Sequence, residues 1–357
     1  MRRTSRTSGL VWLTLVPAAV AVKWWWPDRH LLIFGVSCAA VVPLARLIGD
    51  ATADLAVRIG AGLGGLLNAT FGNAAELIIG AFALQRGLTD LVKASLTGSI
   101  IANVLLVFGA AAIAGGVRRP IVKFNRTAAG LGTTMLLLSA IGLVVPATFH
   151  VLARNRAPAF DLQLDTEIAV VLFITYFFYL LFALRTHRDL YTAGVEAEVG
   201  AQGTAWPAVL KLLGATIAIA VVSEALVGSV EAAADAAGTS QLFAGVIVVA
   251  LVGNAAEHYS AVTLAWQGHM DASLQIAVGS STQIALFVAP ALLFLSYVIG
   301  PGPINLIFTT FEVTAVTLAV LIISFIAHDG ETHWMEGVQL VAVYLILALG
   351  FYFLPAH

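Results

Sequence analysis

The pentapeptide Gly-Asn-Ala-Ala-Glu occurs twice in the chain, at 72–76 and at 253–257, each time inside a long apolar segment. The two copies end in Glu76 and Glu257. An ionised glutamate within the hydrocarbon region of a membrane costs several kcal/mol unless a counter-charge, a proton or a cation accompanies it. Any fold of this chain must therefore supply both carboxylates with such a partner.

The composition around these motifs is that of a membrane protein. Of the 357 residues, 60% are hydrophobic and 11% are charged, whereas soluble domains carry about 25% charged residues. The mean hydropathy is +0.94. The single cysteine, Cys38, excludes a disulfide framework and a multi-cysteine metal site. The net charge of −2 gives no indication of a nucleic-acid partner, and the expected surroundings are the lipid bilayer.

Apolar segments long enough to cross a bilayer recur along the whole chain. A helix needs about 20 apolar residues to cross about 30 Å of hydrocarbon. The first segment is retained as an extra helix and ends in an aromatic anchor, Trp24–Trp26. We predict an all-α membrane protein with eleven transmembrane helices near residues 8–26, 30–49, 60–86, 90–116, 125–149, 165–186, 206–232, 241–267, 272–297, 304–328 and 334–355.

The distribution of positive charge predicts the orientation. With the N-terminus in the cytoplasm, twelve lysines and arginines lie on the cytoplasmic side and six on the other. This is the bias expected of cytoplasmic loops. Short loops and a short N-terminal tail favour the plasma (inner) membrane of a bacterium, with a vacuolar membrane as the alternative.

The second to fourth predicted helices reappear as the seventh to ninth when the chain is shifted by 181 residues. Both pentapeptides coincide, and so do Gly87 with Gly268 and Asp90 with Asp271. Five helices per half is an odd number, so the two halves enter the membrane from opposite sides, with a substrate site expected where they meet. We divide the chain into a tail with the extra helix (1–29), a first five-helix repeat (30–186), an inter-repeat loop (187–205) and a second five-helix repeat (206–357).

Residues that carry oxygen accompany the two glutamates. Ca²⁺ takes six to eight oxygen ligands in irregular geometry, whereas softer metals favour histidine or cysteine. The alternative role for Ser99 and Ser280 is interhelical hydrogen bonding, and the alternative for Asn73 and Asn254 is to satisfy backbone groups of deformed helices. We predict a cation site formed by Glu76, Glu257, Asn73, Asn254, Ser99, Ser280, Asn103 and Gln283, with backbone carbonyls freed by helix deformation at Gly72 and Gly253.

The same two carboxylates predict proton coupling. Without a cation, two facing carboxylates in a medium of low dielectric constant cannot both stay charged, so they take up protons as a coupled pair. Cation and protons then compete for Glu76 and Glu257. Competition at a site reachable from either side amounts to antiport, which needs no cofactor. The chain has no HExxH, GxSxG or paired catalytic-aspartate motif of an intramembrane enzyme.

Four further acids lie at the ends of predicted helices and correspond in the two halves. Asp50 and Asp54 are expected at the cytoplasmic end of the second helix, and Glu231 and Asp235 at the outer end of the seventh. One interpretation is that they are solvated charges at helix ends. The other is that they are entrance acids, which form an acidic mouth on each side of the membrane and concentrate cations near the site.

Two polar residues in predicted spans have alternative roles. Glu312 is either a structural polar contact or an added proton site, and we favour the structural contact. His258, beside Glu257, either shuttles protons or forms a hydrogen bond in the core, and we favour the hydrogen bond.

The segments GNAAELI at 72–78, GNAAEH at 253–258 and GSSTQIALFVAP at 279–290 resemble those of the Ca²⁺/H⁺ antiporters of the cation/Ca²⁺ exchanger superfamily. The resemblance covers essentially the whole chain. It implies export of Ca²⁺ from the cytoplasm in exchange for H⁺ by alternating access. It also implies that Glu76 and Glu257 bind Ca²⁺ or protons, with supporting roles for Asn73, Asn254, Ser99, Ser280, Asn103 and Gln283.

Two other functions remain open at this point. Sodium/calcium exchangers look similar but usually carry more acid in the segment around Gln283, and His258 also favours the proton-coupled branch. A cation channel would show conductance instead of stoichiometric exchange.

Overall fold

The computed structural model of the protein describes residues 12–59, 67, 70–153, 160–187 and 204–354. Helices joined by short connections make up most of it. In chain order they are α1 (Leu15–Trp25), α2 (His30–Ile59), α3 (Ala74–Gln85), α4 (Thr89–Gly116), α5 (Arg126–Ala153), α6 (Asp161–Thr186), α7 (Trp206–Ala237), α8 (Gln241–Gly253), α9 (Ala255–Gln267), α10 (Met270–Ser296), α11 (Thr310–Asp329) and α12 (Trp334–Phe353).

Two very short strands link the connection between α4 and α5 to the connection between α11 and α12. They are β1 (Val122–Lys123) and β2 (Glu331–Thr332), which pair antiparallel. Val122 lies opposite Thr332, and Lys123 opposite Glu331. The pair holds together two connections that the predicted topology places on the cytoplasmic side.

Most of the described helices have the length and apolarity of membrane spans. Eight of them qualify individually, and the bent pair α8–α9 makes nine if it forms one span. Two shorter apolar helices, α1 and α3, accompany them. The predicted helical, multi-pass membrane fold is therefore confirmed, while the count of eleven spans and the repeat arrangement stay predictions.

Several helices extend beyond the predicted apolar spans. Helix α2 continues to Ile59, although the predicted span ends near residue 49, and α7 continues to Ala237, although the prediction ends near 232. A helix satisfies its own backbone hydrogen bonds whether or not its residues are apolar. Hydropathy therefore marks the apolar part of a helix, and Asp50 and Asp54 lie inside the terminal part of α2.

The predicted eighth span, 241–267, is a broken helix. Helices α8 and α9 are inclined by 59° to each other. Asn254, between them, has φ −91° and ψ 8°, and Asn73, just before α3, has φ −104° and ψ 28°. Both values of ψ lie outside the α-helical range. Each Gly-Asn pair thus comes directly before a new helix, and the glutamate lies in its first turn.

Helices α4 and α10 each contain a wide π-helical segment, at Ala102–Val107 and at Ile284–Val288. The final residues of the two segments, Val107 and Val288, are related by the 181-residue shift. Such π-helical turns are rare and occur frequently at functional sites. Asn103 lies inside the first segment and Gln283 directly precedes the second, so both distortions adjoin predicted site residues.

Glycines bring α4 and α8 close together. A β-carbon on Gly98 would collide with the carbonyl oxygen of Val246, and one on Gly245 would lie 2.6 Å from the β-carbon of Ala94. Small residues commonly allow this close approach between membrane helices. The contact places Ser99, next to Gly98, beside the helix break at Asn254.

Candidate cation site

The two glutamates of the repeated motif occupy the same place in their helices. Glu76 is the third residue of α3, and Glu257 is the third residue of α9. Backbone N–H groups at a helix N-terminus have no partner within the helix and carry a partial positive charge that stabilises a nearby anion. The helix breaks therefore favour negative charge at both positions.

The carboxylate groups of Glu76 and Glu257 are within range of electrostatic interaction. Oε1 of Glu76 lies against Gly253, where a β-carbon would approach it to 3.0 Å. Glu257 lies beside the hydroxyl group of Ser280. Oε2 of each glutamate is buried without a hydrogen-bond partner among the described residues. Because a buried oxygen without a partner is costly, a cation or a proton at these two atoms would remove that cost.

Two corresponding Asn–Ser pairs, hydrogen-bonded in opposite directions, join the halves of the chain around the glutamates. Nδ2 of Asn254 donates to Oγ of Ser99 at 2.8 Å, and Oγ of Ser280 donates to Oδ1 of Asn73 at 3.3 Å. The 181-residue shift converts one pair into the other. All four side chains are buried, so each asparagine is held by the serine of the opposite half.

Asn103 and Gln283 extend this network without a matching pair in the other half. Nδ2 of Asn103 donates to Oδ1 of Asn254 at 3.3 Å and to Oγ of Ser280 at 3.2 Å. Nδ2 of Asn73 donates to Oε1 of Gln283. The polar network is thus continuous across α4, α10 and the two helix breaks.

The structure brings the eight side chains predicted for the site into one cluster. Within the described part of the chain, no three His, Cys, Asp or Glu side chains converge in a way that could hold a metal ion. The acidic component of the cluster is therefore the glutamate pair, and its other oxygens are uncharged. Of the two predicted glycines, Gly253 is buried against Glu76 and Gly72 is exposed.

This arrangement suits a hard cation. Amide and hydroxyl oxygens have two lone pairs, so an oxygen that accepts one hydrogen bond can still bind a cation. Ca²⁺ is bound by oxygens at about 2.3–2.6 Å in flexible geometry. Two carboxylates with amide and hydroxyl oxygens around them meet these requirements, and protonation of the carboxylates would neutralise them instead.

The predicted entrance acids lie away from this cluster. Asp50 and Asp54 each form an ion pair with an arginine four residues away, at 3.9 and 3.1 Å. Glu231 accepts a hydrogen bond from Nε2 of Gln241, the first residue of α8, at 2.8 Å. Asp235 is exposed. The described contacts give Asp50, Asp54 and Glu231 ordinary roles at helix ends, and the acidic-mouth hypothesis stays a prediction.

Glu312 is buried at the start of α11. Its Oε2 accepts hydrogen bonds from the backbone N–H and the hydroxyl group of Thr309 at 2.9 and 2.8 Å. Its Oε1 accepts a hydrogen bond from Thr97 in α4 at 3.0 Å. These bonds cap α11 and attach it to α4, which supports the structural role for Glu312.

Glu224, inside α7, is a polar feature that comparison of the two halves does not reveal. It forms an ion pair with Lys23 of α1 at 2.9 Å and lies 4.0 Å from Arg86 at the end of α3. Its counterpart in the first half is Pro43, so the repeat carries no signal for it. An acid within an apolar helix is a signal in itself, and here it links three helices.

A cavity of about 220 Å³ lies between α5, α6 and α10. Its wall includes Asn125, Asp271, Gln275 and Gln283. One oxygen of Asp271 accepts the backbone N–H of Asn125. Because Gln283 is also bonded to Asn73, the cavity reaches the polar network around the glutamates.

The helical membrane fold and the buried carboxylate pair are typical of transport proteins that handle cations. Comparison with known families is more specific. The sodium/calcium exchanger protein family matches the chain over residues 29–185 and again over 207–353. The chain belongs to this family.

Related proteins match the chain over nearly its whole length. The Ca²⁺/H⁺ antiporter of Synechocystis sp. is 41% identical, with 97% of each chain aligned. The Ca²⁺/H⁺ antiporter ChaA of Bacillus subtilis is 42% identical over 92% of this chain and 93% of its own. The solved structure of the Ca²⁺/H⁺ antiporter YfkE has a TM-score of 0.83 at 38% identity, covering 97% of this chain and 100% of that chain. The resemblance predicted from the motifs is confirmed.

Proposed function

We propose that the protein is a Ca²⁺/H⁺ antiporter that exports Ca²⁺ from the cytoplasm in exchange for protons. The observation that carries the proposal is the pair of buried carboxylates, Glu76 and Glu257, each with an Oε2 atom that lacks a partner among the described residues. The relatives from Synechocystis and Bacillus, which are named as Ca²⁺/H⁺ antiporters, support the same reaction.

In this proposal Ca²⁺ binds between the two glutamates. Their carboxylates supply the negative charge that offsets the loss of hydration around the ion. Uncharged oxygens complete the coordination, because Ca²⁺ needs more ligands than two carboxylates provide. The candidates for these ligands are Asn73, Asn254, Ser99, Ser280, Asn103 and Gln283, with the backbone carbonyls of Gly72 and Gly253 beside the helix breaks.

Proton coupling follows from the cost of two neighbouring buried charges. When Ca²⁺ leaves, the carboxylates of Glu76 and Glu257 repel each other and are poorly hydrated. Uptake of protons neutralises the carboxylates, which removes both the repulsion between them and the cost of their poor hydration. Cation and protons thus exclude each other from the same oxygens, so movement of one ion across the membrane requires movement of the other in the opposite direction. Alternating exposure of the site to the two sides completes the cycle.

The proposed architecture is an extra first helix followed by two inverted five-helix repeats, with eleven spans in all. Helices α1 and α3 together with the nine longer spans account for eleven apolar segments. The corresponding breaks at Asn73 and Asn254 support the repeat, as do left-handed Gly87 and Gly268 at corresponding turns. The family matches the chain in two separate segments. The bias of lysine and arginine supports a cytoplasmic N-terminus, and the short loops favour a bacterial inner membrane.

With this orientation, the cavity between α5, α6 and α10 lies on the cytoplasmic side. Asn125 and Asp271 line the cavity at the N-terminal ends of α5 and α10, and Gln283 lines it three turns further along α10. The cavity gives water a route from the cytoplasm towards the polar network. This supports a conformation in which the cytoplasmic side of the site is the more accessible one.

The second candidate is a Na⁺-coupled Ca²⁺ exchanger, which the name of the matching family favours. Reconstitution in liposomes that contain a Ca²⁺ indicator separates the two functions. We expect an imposed pH gradient to drive Ca²⁺ uptake at equal Na⁺ concentration on both sides, and a Na⁺ gradient at constant pH to drive none. Uptake that follows the Na⁺ gradient and ignores pH would contradict our proposal, and ion conductance without exchange would indicate a channel.

A further inference from the structure

The hydrogen bonds around the helix break determine how three side chains in the site are oriented. The backbone carbonyl of Ala250 can only accept hydrogen bonds. The side-chain amide of Asn254 lies 3.0 Å from this carbonyl and therefore presents its Nδ2 group to it. Oδ1 of Asn254 must then point the other way, towards Asn103.

This orientation of Asn254 imposes one on Asn103. Oδ1 of Asn254 is an acceptor, so the group of Asn103 that lies 3.3 Å from it must be the Nδ2 donor. The same Nδ2 group lies 3.2 Å from Oγ of Ser280. The carbonyl oxygen of Asn103 consequently faces away from both, and it lies 3.2 Å from Nε2 of His258. Because that oxygen is an acceptor, Nε2 of His258 must carry a hydrogen.

We propose that His258 is a positioning residue: its hydrogen bond to Asn103 holds the NH₂ group of Asn103 towards Asn254 and Ser280. Through this NH₂ group Asn103 serves the site as a hydrogen-bond donor to Asn254 and Ser280. The inference rests on the proposed function of the same site. It also accounts for a difference between the halves, since the positions that correspond to His258 and Asn103 hold Leu77 and Ile284.

This role differs from proton shuttling in one testable respect. A positioning residue needs only a donor at the location of Nε2, which glutamine also supplies, whereas a shuttle needs a group that gains and loses a proton near neutral pH. Replacement of His258 by glutamine therefore preserves the first role and abolishes the second. Phenylalanine has a similar volume but supplies neither a hydrogen-bond donor nor a group that gains and loses a proton.

The test measures the Ca²⁺ concentration for half-maximal uptake in proteoliposomes over a range of pH. We expect His258→Phe to raise it about threefold to tenfold, the ratio that corresponds to the loss of one hydrogen bond. His258→Gln should restore most of the affinity with the pH profile of the unmodified protein. In an Asn103→Leu background, His258→Phe should have no further effect, because the two residues act through one bond. Leu77→Phe serves as the matched control.

Equal loss of affinity in the glutamine and phenylalanine variants would overturn the proposal, as would additive effects of His258→Phe and Asn103→Leu. Ca²⁺ binding by the detergent-solubilised variants is measured in parallel by calorimetry. If uptake by the unmodified protein does not respond to pH, the proposed antiport fails, yet the calorimetric comparison still decides whether His258 acts through Asn103. Thermal unfolding of each variant identifies any that fail to fold.

Discussion

At the scale of single residues, the close contact between Glu76 and Gly253 ties the two copies of the motif together. A β-carbon at Gly253 would stand 3.0 Å from Oε1 of Glu76, a distance at which the carboxylate would have to move. The glycine of one motif thus makes room for the glutamate of the other. This explains in steric terms why glycine belongs at this position of the site.

We predict that Gly253→Ala weakens Ca²⁺ binding by about threefold to tenfold, comparable to the loss of one polar contact. The added methyl group displaces the Glu76 carboxylate from its position opposite Glu257. The Ca²⁺ dependence of uptake in proteoliposomes measures the effect. Gly214→Ala in α7 is the control, since nothing lies within 4 Å of its β-carbon position. Equal affinity in the two variants would show that Gly253 is not needed for the geometry of the site.

The sequence predicts which polar residues lie near one another, because a polar side chain in a membrane helix must face the protein interior or a cavity. The structure places Asn73, Asn254 and the two glutamates in one polar cluster, and their role as ligands stays a prediction. The sequence could not predict the contact between His258 and Asn103, or the pairing of Glu224 with Lys23. These contacts depend on the relative rotation of helices that lie far apart in the sequence.

At the scale of helices, the break at Asn254 is a feature that the sequence pattern alone does not predict. Glycine and asparagine mark a place where a helix can deform, but both are tolerated inside membrane helices, so they do not decide whether it breaks. Packing against the surrounding helices decides whether the helix breaks. At this break Nδ2 of Asn254 donates a hydrogen bond to the backbone carbonyl of Ala250 at 3.0 Å. The π-helical segments have no local sequence signal that we can identify.

The close crossing of α4 and α8 gives a prediction about stability. Gly98→Ala should lower the free energy of unfolding by about 1–3 kcal/mol, the usual cost of overpacking, because its methyl group would meet the backbone carbonyl of Val246. The midpoint of thermal unfolding in detergent measures the change. Gly130→Ala in α5, whose β-carbon position has nothing within 4 Å, should not be destabilised. A midpoint for Gly98→Ala at or above that of Gly130→Ala would contradict the described crossing.

At the scale of the whole molecule, hydropathy predicted a multi-pass helical protein correctly, because each span must bury its backbone polar groups within itself. It could not predict the true ends of α2 and α7, where polar residues continue the helix. Gly60, Gly64 and Asn68, which precede Gly72 at intervals of four residues in the predicted third span, lie outside the described residues.

The proposed orientation predicts which positions can be labelled from each side. The single cysteine is buried, so a Cys38→Ala background allows new cysteines to be tested one at a time. Gln275→Cys, in the wall of the cavity, should react with a membrane-impermeant maleimide only in inside-out vesicles. Ala236→Cys, at the exposed end of α7, should react only in right-side-out vesicles. Reversed labelling would contradict the cytoplasmic placement of the N-terminus.

The central claim is that Ca²⁺ and protons compete for the same two buried carboxylates. The most direct test is to add Ca²⁺ to the detergent-solubilised protein in weak buffer and to record the protons released. We predict that binding of Ca²⁺ releases protons from the unmodified protein, and that a variant with both Glu76→Gln and Glu257→Gln neither binds the ion nor releases protons. Ca²⁺ binding without proton release, or release that persists in the double variant, would contradict the claim.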